Sequence, residues 1–220
     1  AVLSVARKNR KSLLIAGLLL ATLLGPEAQP NAQIYTAATS ADQAKVVFKM
    51  CVQILNMSPT LRRHLKITES LGIMYVKSSG VRGAGSVYKA LSAEKAGKHG
   101  LGADFFVYDE FGEARDDELW NVLYDSQQLR ARPLAIVIST QNNDPQHPLS
   151  QMIDDGLKVD DDGNKIDPTT VCHLHAADDD CDLLDEAQWL KANPALAHWK
   201  PRGQIADAAA TAVRLPAKEA

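Results

Sequence analysis

Two adjacent acids, Asp109 and Glu110, follow four apolar residues in 103-ADFFVYDEFGEA-114. The run Phe105-Phe106-Val107-Tyr108 shows no polar alternation, which is the pattern of a strand buried on both faces. The acids then fall at the C-terminal end of that strand, the edge of an open parallel sheet where ligands bind. An aspartate in that position can hold Mg2+, usually through water, and a neighbouring glutamate can orient and deprotonate an attacking water. An ordinary strand end running into a polar turn carries the same letters, so the pair by itself decides nothing.

A second group stands far upstream. Arg7-Lys8-Asn9-Arg10-Lys11-Ser12 follows a short apolar strand and precedes an apolar helix. That is the position of a phosphate-binding loop, where backbone N–H groups and a helix N-terminus receive phosphate oxygens. In such a loop Lys11 would reach the β- and γ-phosphates and the Ser12 hydroxyl would ligate Mg2+. A third element is 136-IVISTQ-141, an apolar strand ending in Ser139-Thr140-Gln141, whose polar end would lie beside a nucleotide and sense its γ-phosphate.

These groups need a scaffold, and the apolar pattern supplies one. Strands are predicted at Val2–Ala6, Gln33–Ala37, Ile73–Lys77, Val87–Leu91, Phe105–Tyr108, Ala135–Ser139 and Val171–Leu174. Helices are predicted at Ser12–Leu24, Ala41–Leu55, Asp116–Leu129 and Glu186–Ala192. Short apolar runs separated by helices predict an α/β fold with a mainly parallel central sheet covered on both faces. Ser40 is placed to cap the helix from Ala41, and Asn193-Pro194 ends the one containing Trp189. The polar segment 154-DDGLKVDDDGNKID-167 reads as an exposed loop, and the Ala-rich run Ile205–Val213 as a peripheral helix.

The 220 residues suffice for one substantial core, and 45% apolar with 23% charged residues is ordinary for a globular chain. A net charge of −3 gives no general drive toward nucleic acid or anionic lipid, so such contacts would come from local patches. Three cysteines, Cys51, Cys172 and Cys181, are too scattered for a disulfide framework. The basic knot before Leu13–Leu24 also fits a secretory signal peptide, with a poor cleavage site at Glu27-Ala28-Gln29. As a membrane span the run falls short of the ~20 residues needed.

Taken in order, these stretches resemble the ATPase domain of the large terminase subunits of tailed bacteriophages. The resemblance lies in ARKNRKS before an apolar helix, in QIYTAATSADQAKVVF (33–48) and in LSAEKAGKHGLGADFFVYDEFGEARDDELWNVL (91–123). It continues in LAIVISTQNNDPQHPL (134–149) and WLKANPAL (189–196). The family's loop, R-x-x-G-K-[ST], maps onto Arg7, Lys11 and Ser12, with Lys8, Asn9 and Arg10 completing an ATP-binding loop. Its acid pair maps onto Asp109, a metal ligand with Ser12, and Glu110, the base. Its coupling motif maps onto Ser139 and Thr140. On this reading the basic knot is the loop and the apolar run its helix, which displaces the signal peptide.

The resemblance implies a P-loop ATPase using ATP and Mg2+, and a homo-oligomeric ring on the portal protein that drives double-stranded DNA into proheads. It implies a small terminase subunit as a further partner and the host cytoplasm, without membrane, as the location. Arg7 would stabilise the transferring phosphoryl group or link hydrolysis to movement. A basic residue from the adjacent subunit is implied too, with Lys98 as one candidate and Arg82 in 80-GVRGAG-85 as another. The expected organisation is an N-terminally truncated ATPase domain over 1–200 and a linker or peripheral helix over 201–220, without the nuclease domain and its DNA cleavage. One departure stands out: Arg10 occupies the position of the family's glycine, where the backbone passes close to the phosphates. The expectation is weakened or lost nucleotide binding, as in a decayed prophage copy or a chain carrying a sequence error. The rival reading is a catalytically inactive module that keeps the fold and binds partners.

Two metal-like patterns are set aside. Cys172-His173-x-His175 with Cys181 fits no standard zinc spacing, and neighbours on a strand point to opposite faces. Aligning Gly163 with a calcium loop's invariant glycine puts Lys158 at the first ligand position, which fails.

Overall fold

The computed structural model describes residues 1–77, 80–92 and 100–215. In chain order the elements are β1 (Val2–Ser4), α1 (Lys11–Leu24), β2 (Gln33–Ala38), α2 (Ala41–Asn56), α3 (Pro59–Arg62), β3 (Leu65–Thr68), β4 (Ile73–Val76) and β5 (Val87–Ser92). Then come β6 (Phe105–Asp109), α4 (Glu118–Asp125), β7 (Leu134–Ser139), α5 (Pro148–Leu157), β8 (Cys172–Leu174), α6 (Glu186–Ala192) and α7 (Arg202–Arg214). Two compact units result, one formed by Ala1 with Lys11–Ile138 and one by Val2–Arg10 with Ser139–Ala220.

In the first unit the strands run in the order β3-β4-β5-β2-β6-β7. From β5 through β2 and β6 to β7 every pairing is parallel. The β3–β4 and β4–β5 pairings are antiparallel; β4 falls within the strand expected at Ile73–Lys77, whereas β3 was not among the predicted elements. The β6 strand has neighbours on both sides and all five of its residues are buried, as its unbroken apolar run requires.

The apolar run after the basic knot is α1. Ile15, Ala16, Leu19, Leu20 and Leu23 are buried, whereas Leu13, Leu14 and Leu18 are exposed. Its hydrophobicity all round thus exceeds what one buried stripe uses. Ser40 caps α2 as predicted, its hydroxyl accepting from the Gln43 N–H at 3.3 Å. The α4 helix is shorter than expected. Past Asp125 the Ser126 hydroxyl donates to the Leu123 carbonyl at 2.7 Å and accepts from the Ala103 N–H at 3.1 Å, and the chain turns. Trp120 packs edge-on to Phe106, with centroids 5.1 Å apart, and lies against Phe111, so it belongs to the aromatic core around β6.

In the second unit β1 pairs in parallel with β8, Val2 opposite Cys172. Cys172 is buried and His173 exposed, the alternation expected of a strand. The α5 helix is not among the predicted elements. Pro148 starts it at N1, and the His147 Nδ1 accepts from the Leu149 N–H at 3.1 Å. The segment expected as a loop from residue 154 begins inside the last turn of α5, and then runs exposed with a single bridge between Val159 and Lys165. The predicted peripheral helix is present as α7. Among the described residues no helix is long and apolar enough to cross a membrane.

Candidate nucleotide site

The first unit brings together four residues that stand far apart in the chain. Lys11 opens α1, at the helix N-terminus, where the macrodipole favours anions. Asp109 ends β6, and the chain then turns into a short 3-10 segment, Phe111–Glu113. The Ser12 hydroxyl donates to Asp109 Oδ2 at 3.2 Å, and Lys11 Nζ lies 3.8 Å from Glu110 Oε1. Lys11 and Asp109 are almost wholly buried, at 6% and 5% exposure. Such burial of a lysine needs an anionic partner, and the two acids provide it.

Glu110 is held in an unusual shape. Its φ of 54° puts a non-glycine residue in the left-handed region, while its N–H stays bonded to the Ile138 carbonyl at 2.8 Å. Strain of this kind persists only where the surroundings over-determine it, and it concentrates at functional sites. Asp109 Oδ1 and Glu110 Oε2 are both buried without a hydrogen-bond partner. The unpartnered Asp109 Oδ1, on the carboxylate that the Ser12 hydroxyl already bonds, is with that hydroxyl a hard-oxygen donor set of the kind that Mg2+ takes. The residues present therefore fit this metal.

Burial pushes the Asp109 carboxyl up to about 6, with the Glu110 charge adding to the rise and the Ser12 hydrogen bond and Lys11 opposing it. An acid whose folded value is raised favours folding in its protonated form, so its stabilisation is complete below the ordinary carboxylate range. That stabilisation is lost as pH climbs through about 6. The loss amounts to about 3 kcal/mol. Asp109→Asn is therefore expected to raise the melting temperature at pH 8 in the presence of a chelator and to have little effect near pH 4. A variant less stable than the parent at pH 8 would contradict the account.

The second unit holds the rest of the loop. A cleft of about 770 Å³ is lined by Arg7, Lys8, Thr140, Gln141, His175 and Lys200, among others. Arg7 and Lys8 of the basic knot share this cleft with Thr140. Ser139 is buried, and its carbonyl accepts from the Val5 N–H at 3.0 Å. Asn9 turns inward, donating to the Ala6 carbonyl at 2.8 Å, whereas Arg10 is exposed. Lys98 lies outside the described residues. Arg82 donates to the Pro26 carbonyl at 2.9 Å, past the C-terminal end of α1. A helix of 14 residues spans roughly 20 Å, so Arg82 is remote from Lys11 of its own chain. The turn carrying it needs Gly83, because a Cβ there would meet the Leu23 carbonyl oxygen at 1.9 Å.

A family model described as terminase large subunit, ATPase domain, matches residues 1–156, well over half of the chain. The chain belongs to the terminase large subunit family. A second model, for the endonuclease domain of the same subunit, matches residues 167–220, so the boundary expected at residue 200 falls inside that match. The large terminase subunit of Enterobacteria phage HK97 is 40% identical over 221 residues, covering 100% of this chain and 42% of that protein. The chain therefore spans less than half the length of this curated relative. The crystal structure of the HK97 bacteriophage large terminase superposes with a TM-score of 0.89 at 39% identity, covering 99% of this chain and 44% of the other. Fold alone is shared with a point mutant of the Thermus phage P74-26 large terminase ATPase domain. That structure has a TM-score of 0.59 at 18% identity over 71% of this chain and 65% of the other.

The terminase loop explains what stands in place of glycine. Arg10 has φ 59°, so this position does adopt the left-handed conformation that glycine takes without cost. Its guanidinium stands 5.0 Å from the centre of the Trp199 ring, a cation–π contact worth about 0.5–1 kcal/mol at an exposed site. That contact offsets much of the left-handed strain, about 1–2 kcal/mol. Arg10→Gly is accordingly expected to change folding stability by less than about 1 kcal/mol. It is expected to tighten ATP binding by about tenfold, because the Cβ no longer restricts a backbone that closes on phosphates. Calorimetric titration of both proteins checks this; equal, tight binding would refute it.

Proposed function

We propose that this chain is the ATP-hydrolysing motor part of a phage DNA-packaging terminase, acting on ATP with Mg2+. The observation that carries this reading is the convergence of Lys11 and Ser12, at the start of α1, on Asp109 and Glu110, at the end of β6. Family membership gives that convergence its chemical meaning.

The family resemblance, with the contacts at the start of α1, supports the following roles. Lys11 and the N–H groups of the 7–12 loop bind the phosphates, and in doing so Lys11 exchanges part of its attraction to Glu110 for the γ-phosphate. Ser12 and Asp109 would hold Mg2+, which supplies neutralisation of charge between the β- and γ-phosphates. Glu110, freed from Lys11, orients a water and takes its proton. Arg7 stabilises charge on the transferring phosphoryl group or links hydrolysis to movement. Ser139 and Thr140, at the end of β7, sense the γ-phosphate. Lys98 from an adjacent subunit is the basic residue supplied in trans, and Arg82, far from its own Lys11, is the other candidate. Such a cation is worth about 10³–10⁵ in rate in related hydrolases.

At the level of the assembly, the proposal is a homo-oligomeric ring on the portal protein. It would take double-stranded DNA delivered with the small terminase subunit and work in the host cytoplasm. The test is ATP hydrolysis by the chain under conditions in which it assembles on portal and DNA. Turnover above background that depends on Mg2+ supports the motor; none, with the chain folded and assembled, leaves only the inactive interaction module.

A further inference from the structure

The phosphate loop does not hold its own shape. Lys8 and Arg10 both have left-handed backbone, with φ of 67° and 59°. Two such non-glycine residues within three positions need an external brace. Within the second unit that brace is the segment from Asn193 to Lys200, which follows α6.

Its contacts reach Arg7, Asn9 and Arg10 of the loop. The Asn9 Nδ2 donates to Asn193 Oδ1 at 3.3 Å, and Asn9 Oδ1 accepts from the Ala195 N–H at 3.0 Å. Lys200 Nζ donates to the Arg7 carbonyl at 3.2 Å and also to Asn193 Oδ1. Arg10 lies over Trp199. Asn193 is the centre of this arrangement. It is 7% exposed, caps the C-terminus of α6, and its Nδ2 donates to the Trp189 carbonyl at 3.2 Å. With its amide nitrogen spent on its own helix, its oxygen is fixed toward Asn9 and Lys200. The ammonium of Lys200 can neither reverse direction nor accept, so it anchors two oxygens at once.

We infer that Asn193 and Lys200 are positioning residues for ATP binding, setting the phosphate loop through Asn9 and the Arg7 carbonyl. The brace lies within the 167–220 stretch matched by the endonuclease-domain model, so the loop's geometry is set by a part of the chain outside the ATPase-domain match. Loosening the brace releases the loop into shapes that do not bind phosphate, while leaving Glu110 and its water chemistry intact. The effect then falls on the population of competent loop, and hence on apparent affinity.

The inference rests on the ATPase reading, and the test separates the two. Steady-state ATP hydrolysis and calorimetric ATP binding are measured on the full chain and on Asn193→Leu, Asn193→Asp and Lys200→Met. Asn193→Leu removes the accepting oxygen, Asn193→Asp keeps an accepting oxygen while giving up the Nδ2 donor to the Trp189 carbonyl, and Lys200→Met removes the ammonium from a partly exposed side chain. The expected result is a KM and Kd for ATP raised about tenfold in Asn193→Leu and Lys200→Met with kcat within about twofold, and Asn193→Asp within about threefold of the parent. Unchanged KM and Kd in a folded Lys200→Met, or a fall in kcat alone, overturns the inference while the parent's own turnover upholds the ATPase reading. A parent that neither binds nor hydrolyses ATP overturns both.

Discussion

Glu110→Gln will reduce ATP turnover by about 10²–10⁴-fold and leave ATP affinity within about threefold. Glutamine fills the same space and preserves the left-handed backbone at position 110, so packing against β7 through the Ile138 carbonyl is kept. What it loses is the ability to take a proton. In the parent, Oε2 is buried with no hydrogen-bond partner and Oε1 faces Lys11 at 3.8 Å. Single-turnover hydrolysis measured beside calorimetric binding separates the two effects. A variant with parental turnover would remove Glu110 from the chemistry and shift attention to Asp109.

The second large effect is expected at Lys11. Lys11→Met keeps the length of the stem but removes the buried charge, and ATP affinity is expected to fall by about 100-fold, or about 2.7 kcal/mol. The folded protein is affected as well, because Asp109 and Glu110 are left facing each other without their cation. Breaking a buried pair from one side costs about 3–5 kcal/mol when the remaining charge stays. Here Asp109 can take up a proton instead, so the loss is expected to be smaller and to grow from about pH 5 to about pH 8. Thermal melting across that range with nucleotide titration at each pH checks both statements. Unaltered ATP binding by a folded Lys11→Met would place the phosphates elsewhere.

Much of this arrangement was legible in the letters, for reasons that differ from element to element. Phe105-Phe106-Val107-Tyr108 lacks alternation because β6 has neighbours and covering layers on both sides, and the same run announces where Asp109 must fall. Lys11-Ser12 was legible because a helix N-terminus after a short strand is a local pattern. The β3 strand was harder. Leu65–Thr68 has one buried residue in four, and such a run gives no contrast against the turns around it. The α5 helix was hidden by Pro148, a residue that breaks helices everywhere except at their first turn.

The brace could not be read from sequence at all. Asn193-Pro194 announces the end of a helix, but its partner Asn9 stands 184 positions away and nothing local to either residue names the other. Arg10 was half legible. The glycine-like backbone of its position was expected, whereas the Trp199 ring that receives its side chain belongs to the tertiary fold.

The central claim is that Lys11 with Ser12 and Asp109 with Glu110 form a single site for the phosphates of ATP. The most direct test is a crystal or cryo-electron-microscopy structure of the full chain with Mg2+ and a non-hydrolysable ATP analogue. The account predicts phosphate oxygens at the N-terminus of α1 within hydrogen-bond reach of Lys11 Nζ, and the metal on the side of Ser12 and Asp109. Clear density for the analogue at another position, with the Lys11–Glu110 contact unchanged, would contradict it.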